Sequence, residues 1–303
     1  MDALAHHLEL LRVPCVEREL KKQLRNDRIA HLRSIDADSQ FVRATHLSCG
    51  SPPLFANLRC GVWYVPPSIR AGTCYFKSTD GHAGHWGFSL SRINLQAALA
   101  AGLHQSVMIV DSTRSGKRFP DALTKTVPIW CCVINRVLRN ADGGKPDSGA
   151  KHSDPRPSWD GALWLPEWIS PSEASQIESL VNKWVAALLR PTLAPVLELL
   201  RRYLHRPLRP IWCCPEHGVY DGRAEWHHGC AHGARASELA HCPLGRAACD
   251  RASESSARGK PEAGVAVCPG HYAVYCVSAS AVRSAAISRE HHSWTYIQGK
   301  SCR

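Results

Sequence analysis

At 303 residues the chain can bury a substantial core as one large domain or two ordinary ones, which excludes a short binding module. A formal net charge of +11, from 37 Lys plus Arg against 26 Asp plus Glu, favours a polyanionic partner without identifying one. The chain opens with the polar MDALAHHLELLR, so its 14 cysteines are expected to be reduced thiols of a cytoplasmic protein, not a disulfide scaffold. No membrane partner is expected either, because the apolar stretch Val181 to Leu200 is broken by Lys183, Arg190, Pro191 and Pro195.

In chain order, Val16 to Ser39 places Leu20, Leu24, Ile29, Leu32 and Ile35 near the helical period among many charges, predicting a helix with a cationic outer face. Cys60 to Pro67, aromatic and β-branched and stopped by paired prolines, predicts a strand, and Cys74 to Phe76 begins another. Ser89 to Leu103 predicts a helix that carries Arg92 and Asn94, packed under a strand at Val107 to Val110. Asp121 to Leu138 predicts a helix, continuous or broken at Pro128. Asn140 to Pro157 has too little apolar surface to pack and reads as a loop. Pro171 to Leu204 is helical, with Ser170 or Ser172 as N-cap and Pro191 as a break, and Pro207 to Cys213 returns to strand. Pro215 to Pro261 reads as an irregular insertion before a short strand pattern in Val265 to Val277.

This alternation predicts an α/β or α+β fold, a mixed sheet flanked by helices with a phosphate-binding loop after a central strand. The organisation expected is an N-terminal part over 1–142, a flexible loop over 143–158, and 159–303 completing the same domain.

Two segments crowd phosphate-binding residue types around a carboxylate. In the first, Lys77, Ser78 and Thr79 precede Asp80, Gly81 and His82; in the second, the apolar run Val107 to Val110 empties into Asp111, Ser112, Thr113, Arg114, Gly116, Lys117 and Arg118. Polar glycine loops at strand ends bind anions because unpaired N–H groups, hydroxyls and a cation converge there. The second segment is not a P-loop, since the first glycine of that motif is absent and Arg118 stands where Ser or Thr binds magnesium. It suits a phosphorylated ribose, with Asp111 able to engage ribose hydroxyls or a metal; a surface turn of solvated charges is the alternative. Lys77 to His82 is equally a turn, because Asp80-Gly81 is a strong turn dipeptide, and His82 adds a side chain able to take up a proton.

KSTDGH, WGFSLSRINL, DSTRSGKRFPDALTKTVPIW, LWLPEWISPSEASQI, LRPIW and YCVSASAVRS with WTYIQG, in this order, resemble the initiator tRNA 2'-O-phosphoribosyl transferases of fungi and plants. The resemblance implies transfer of a ribosyl phosphate from phosphoribosyl diphosphate, with Mg2+, to the 2'-hydroxyl of a T-stem adenosine in initiator tRNA. It implies that Lys77, Arg114, Lys117 and Arg118 hold phosphate, supported by Ser78, Thr79, Ser112, Thr113 and Gly116. Asp80 or Asp111 then holds metal or ribose, and Asp80 or His82 serves as base. Family members continue past YIQG into a phosphatase-like domain, whereas here Gln298 and Gly299 are followed by Lys300, Ser301, Cys302 and Arg303. The expectation is therefore the first domain without the second, with a catalytically inactive tRNA-binding form as the alternative and the oligomeric state open. A phosphatase reading is disfavoured, since from Cys230 to Arg235 there are four intervening residues where that loop needs five.

The cluster of Cys213, Cys214, His217, His227, His228, Cys230, His232, His241, Cys242, Cys249, Cys268 and His271 contains no CxxC pair, and its best pairs are Cys214 with His217 and Cys268 with His271. Structural zinc sites bring their ligands as close pairs, so no zinc is expected. Chelator is expected to leave the fold intact, and metal analysis of the purified chain checks this. One tightly held zinc per chain, lost with unfolding, contradicts the reading.

Overall fold

A computed structural model describes residues 14–58, 60–113, 117–141, 159–215, 218–220 and 270–279. The fold is α/β. Six strands form one sheet: β1 (Leu54–Asn57), β2 (Arg70–Cys74), β3 (Ser106–Asp111), β4 (Leu208–Cys214), β5 (Gly218–Tyr220) and β6 (Tyr272–Ser278), in the order β2-β1-β3-β6-β4-β5. The first five in that order run parallel, and β5 adds an antiparallel edge to β4. Every residue of β1, β3, β4 and β6 is buried, as expected of parallel strands covered on both faces. β2, at the edge, alternates between partly exposed and exposed positions until Cys74.

Alternation along β3 divides the core. Val107 and Ile109 face a cluster built with Ala97, Ala98 and Ala101 of α2 (Leu95–His104) and Trp130 and Ile134 of α3 (Val127–Ala141), while Met108 and Val110 face Val42 of α1 (Pro14–Ser48) together with Tyr64 and Val65. A third cluster joins Ile129, Val133 and Val137 of α3 to Ile177, Val181 and Leu188 of α4 (Pro171–Leu188). α5 (Ala194–Tyr203) contributes Leu200 to the first cluster. Among the described residues no helix is long and apolar enough to cross a membrane.

Several expectations need correction. The expected strand at Cys60 to Pro67 is a 3-10 turn at Gly61–Trp63, and the strand lies upstream at Leu54–Asn57. The reason is steric: a Cβ on Gly61 would sit 2.0 Å from the Val110 carbonyl oxygen, so this turn lies directly on the end of β3. The strand expected to begin at Cys74 instead ends there. The helix over Ser89 to Leu103 starts only at Leu95, because Asn94 takes a left-handed φ of 50° after a 3-10 turn at Leu90–Arg92. Asp121 to Leu138 becomes a π-helical turn, Ala122–Thr126, followed by α3, with Pro128 tolerated in the first turn. Ser170 caps α4 by accepting a hydrogen bond from the Glu173 amide at 3.2 Å, and the break at Pro191 is present. Part of the expected insertion, Gly218–Tyr220, is strand β5. The loop over 143–158 and most of the insertion lie outside the described residues.

β1 lies between β2 and β3, so the direction in which successive strands are added reverses there. In open α/β sheets such a switch point leaves a crevice at the carboxyl ends of the strands. Asn57 ends β1 and Asp111 ends β3, and the Asn57 amide bridges them, donating to Asp111 Oδ2 and to the Phe76 carbonyl, each at 2.9 Å, while Asn57 Oδ1 accepts from the Phe76 amide at 2.9 Å. From the other side Asn94 Oδ1 accepts from the Tyr75 amide at 2.8 Å and Asn94 Nδ2 donates to the Tyr75 carbonyl at 3.3 Å. Two asparagine side chains thus continue the β2 hydrogen bonding beyond the strand and fix the path into Lys77. Asn57→Ala removes the side-chain partner of the Phe76 amide and carbonyl and one donor to the Asp111 carboxylate, and is expected to lower stability by about 3 kcal/mol. Removing the exposed Gln96 side chain, which donates to the Thr73 carbonyl at 3.0 Å, is expected to change little. Chemical denaturation of both variants measures this, and equal losses contradict the bridging role.

Candidate active site

Lys77 to His82 leaves β2 as an extended residue followed by a 3-10 turn at Ser78–Gly81. Lys77, Thr79 and His82 are exposed, Asp80 is half-buried, and Ser78 and Gly81 are buried. Gly81 is required by packing, since a Cβ there would meet the Asp121 carbonyl at 2.6 Å and Thr126 Oγ1 at 3.0 Å. Thr126 in turn donates its hydroxyl to the Lys77 carbonyl at 3.1 Å. The first motif is therefore seated on the turn that follows the second. Asp80 pairs with Arg92 at 2.9 Å, and the Arg92 guanidinium lies 5.5 Å from the centre of the Tyr75 ring. Lys77, Asp80, Arg92, Asn94, Thr126 and Trp130 line a shallow cleft at this point.

In the second motif Asp111 is fully buried; besides the Asn57 bond, its Oδ1 accepts from the Ser112 amide at 2.8 Å. Ser112 and Thr113 are buried as well. Arg114 and Gly116 lie outside the described residues. Lys117 is exposed and Arg118 half-buried where the chain returns. Both ends of the loop are tied to the end of β6, because the Ala279 amide donates to the Asp111 carbonyl at 2.9 Å and Ser278 Oγ donates to the Arg118 carbonyl at 2.7 Å.

The two motifs meet at Asp121, whose side chain is 17% exposed. Lys117 Nζ lies 2.7 Å from Asp121 Oδ2, Lys125 Nζ 3.2 Å from Oδ1, and His82 Nε2 3.6 Å from Oδ2. Burial raises the pKa of Asp121, but hydrogen bonds and charge from Lys117 and Lys125 outweigh it and hold the carboxyl below its ordinary range. Lys125, itself buried, also reaches Glu173 Oε1 at 3.0 Å, and Trp86 donates its indole N–H to the same oxygen at 3.1 Å. The result is an anchored carboxylate ringed by three basic groups, with Lys117 and His82 facing solvent.

Sequence reasoning missed Asn57, Ser278 and Asp121 as site residues. Asp121 lay within the DSTRSGKRFPDALTKTVPIW block but was read as a helix start, Ser278 lay within the YCVSAS block, and Asn57 carried no local signal. Among the described residues no three His, Cys, Asp or Glu side chains group as a metal site. Asp80 is taken by Arg92, Asp111 by Asn57 and a backbone amide, and Asp121 by two lysines, a donor set that does not fit a preformed magnesium cage. The thiols here are not nucleophiles: burial, then the Asp111 charge, pushes Cys74 well up, and burial pushes Cys132 up to about 12. Cys213 and Cys214 are buried in β4, while most of the Cys/His cluster lies outside the described residues.

Because the folded pKa of Asp121 is depressed, its ion pairs stabilise the chain fully above the ordinary carboxylate pKa, about 3.9, and are lost as pH falls through the folded value. Asp121→Asn is expected to flatten the acid limb of a thermal-stability profile recorded from neutral to strongly acidic pH. An acid limb unchanged by the substitution contradicts the assignment.

Comparison with known proteins gives a consistent family. The family model described as the Rit1 N-terminal domain matches residues 20–301. A tRNA A64-2'-O-ribosylphosphate transferase of Saccharomyces cerevisiae is 35% identical over 214 residues, covering 70% of this chain and 39% of that protein. An uncharacterized protein of Schizosaccharomyces pombe is 36% identical over 184 residues, covering 61% of this chain and 38% of its own length. The chain spans about two fifths of the length of these curated relatives. No solved structure matches it. With both motifs and every strand of the sheet inside the matched span, the chain belongs to the Rit1 family.

Proposed function

We propose that this chain carries the donor site of a tRNA-modifying glycosyltransferase, which moves a ribosyl phosphate from phosphoribosyl diphosphate to the 2'-hydroxyl of a T-stem adenosine in initiator tRNA. One observation carries the reading. Both motifs converge at the carboxyl ends of parallel strands beside a switch point, with cations exposed around anchored carboxylates. The name of the yeast relative supplies the chemistry, and the +11 charge suits an RNA acceptor.

In this reading the acceptor oxygen forms a bond to the anomeric carbon of the donor while the bond from that carbon to diphosphate breaks. Lys77, Lys117 and Arg118, together with Arg114, neutralise the charge gathering on the departing diphosphate. Magnesium would have to come with the donor, since Asp80, Asp111 and Asp121 are taken by other partners, and it would supply further positive charge to the departing diphosphate. The hydroxyl proton passes to His82 Nδ1, and Asp121, ionised and 3.6 Å from the other ring nitrogen, Nε2, stabilises the imidazolium that results. Asp80 is held by Arg92 and faces the cleft, where it fits ribose hydroxyls. Asp111, buried and doubly bonded, shapes the loop from behind.

Arg114→Ala and Lys117→Ala are expected to weaken donor binding at least tenfold, since a charge-assisted contact to phosphate contributes about 1.5–3 kcal/mol. Thermal-shift titration with phosphoribosyl diphosphate and magnesium measures this against substitutions in the Pro215 to Pro261 segment, and equal losses from both regions remove the loop from the site. His82→Gln is expected to slow label transfer to tRNA by about 100-fold with donor binding intact, the scale of a lost general base. Transfer at the unaltered rate rules out His82. Saturable tRNA binding by a chain that the donor does not stabilise supports the silent tRNA-binding alternative.

A further inference from the structure

The parallel strands all begin at the end of the sheet opposite the candidate site, and basic side chains gather there. A groove of about 500 Å3 at the starts of β1 and β2 is lined by His46, Arg70 and His104 and by no Asp or Glu. His104 ends α2, and the next residue, Gln105, accepts through Oε1 from Arg206 Nη1 at 3.2 Å. The Arg206 guanidinium also lies 6.0 Å from the centre of the Tyr272 ring at the start of β6. α2 and α5 meet at their ends, since a Cβ on Gly102 would sit 2.2 Å from the Tyr203 carbonyl oxygen. Arg201 and Arg202, both exposed in the last turn of α5, extend the same basic face.

Charge balance separates this face from the candidate site. There Arg92, Lys117 and Lys125 each have a carboxylate partner. Among the described residues, Arg70, Arg201, Arg202 and Arg206 form no ion pair, and Glu198, one turn back on α5, reaches neither arginine of that helix. Basic residues in the last turn of a helix offset its dipole, which accounts for His104, Arg201 and Arg202 in structural terms. It does not account for Arg70, which opens β2, or for Arg206, which lies between α5 and β4.

Arginines without carboxylate partners, beside a groove without carboxylates, fit a chain of phosphates. The edge strand joins this face to the candidate site. β2 starts at Arg70, and Ala71, Thr73, Tyr75 and Lys77 follow as alternate exposed positions. At about 3.3 Å per residue that path is roughly 20 Å long, more than one nucleotide reaches. A lipid surface is flat and meets one face at a time, whereas a phosphodiester backbone follows groove and edge together, so the geometry favours RNA.

We infer that this amino-end face, through Arg70, Arg201, Arg202 and Arg206, binds the phosphate backbone of the tRNA several nucleotides from the reacting hydroxyl. This rests on the tRNA reading proposed above. These arginines hold the RNA and take no part in the transfer.

The experiment uses the full chain, an initiator tRNA transcript, and phosphoribosyl diphosphate with magnesium. Combining Arg70→Gln, Arg201→Gln and Arg202→Gln is expected to weaken tRNA binding by about tenfold or more. It is also expected to make log affinity against log salt shallower by about two, since each lost phosphate contact removes roughly 0.7–0.9 from the slope. Arg33→Gln removes an exposed arginine about 20 Å from His46 along α1, and is expected to change affinity by less than about twofold. Donor-induced thermal stabilisation is expected to be the same in every variant. If the triple variant does not fold, the exposed pair Arg201→Gln with Arg202→Gln carries the same comparison. Affinity within about twofold of the unaltered chain, or a loss per charge equal to that of Arg33→Gln, overturns the face alone. A loss of donor stabilisation in parallel with tRNA binding marks a structural role for these arginines and overturns it as well. So does a triple variant that keeps tRNA binding but loses binding to phosphatidylserine vesicles, which assigns the face to a membrane. Absence of tRNA binding by the unaltered chain overturns the tRNA reading itself.

Discussion

The site depends on one buried side-chain amide. Asn57, at the end of β1, holds both the Phe76 backbone and the Asp111 carboxylate, and so ties the exit of β2 to the exit of β3. An amide suits this place because it offers a donor and an acceptor at once. Its oxygen and one N–H complete a strand-like pair with Phe76, and the same NH2 group satisfies a carboxylate that is otherwise fully buried. An aspartate here would put two carboxylates in contact, and an alanine would take from Phe76 its side-chain partner and from Asp111 one of its donors. With Asn57 in place, the first motif has one path from the sheet.

Charge is arranged in two layers. Asp111 faces inward and is spent on loop geometry, while Asp80 and Asp121 each hold basic groups at the surface. Lys125 is buried between Asp121 and Glu173, which fixes Asp121 from behind. Lys117, 48% exposed, and His82, 50% exposed, are the outer members of the group, free to turn toward an anion without leaving an unpaired charge in the interior. Under the proposed function, cations that have a partner both with and without diphosphate suit an enzyme that must grip it and then release it.

How much of this was legible in the sequence varied with the physical signal. The strand before Asp111 was plain because a parallel strand covered on both faces is a continuous apolar run, and side-chain chemistry narrowed the α4 cap to Ser170 or Ser172, of which Ser170 caps. β1 was missed because LFAN is four residues long, while the longer apolar stretch at Cys60 to Pro67 buries Tyr64 and Val65 without ever pairing as a strand. Placement of β6 between β3 and β4 is a contact across more than 150 residues of sequence, and no local pattern encodes it. Tryptophans are mostly core residues, yet Trp63 and Trp168 are exposed. Motif chemistry did mark Lys77 to His82 and Lys117 to Arg118, but not the residue that joins them, because Asp121 looks like any acidic residue at a helix start.

A co-crystal structure with phosphoribosyl diphosphate and magnesium tests the central claim most directly. The diphosphate is expected against Lys117 and Arg118 and the ribose beside Asp80, at the carboxyl ends of β1 and β3. A donor bound instead in the groove of about 500 Å3 at the opposite ends of β1 and β2, lined by His46, Arg70 and His104, contradicts it.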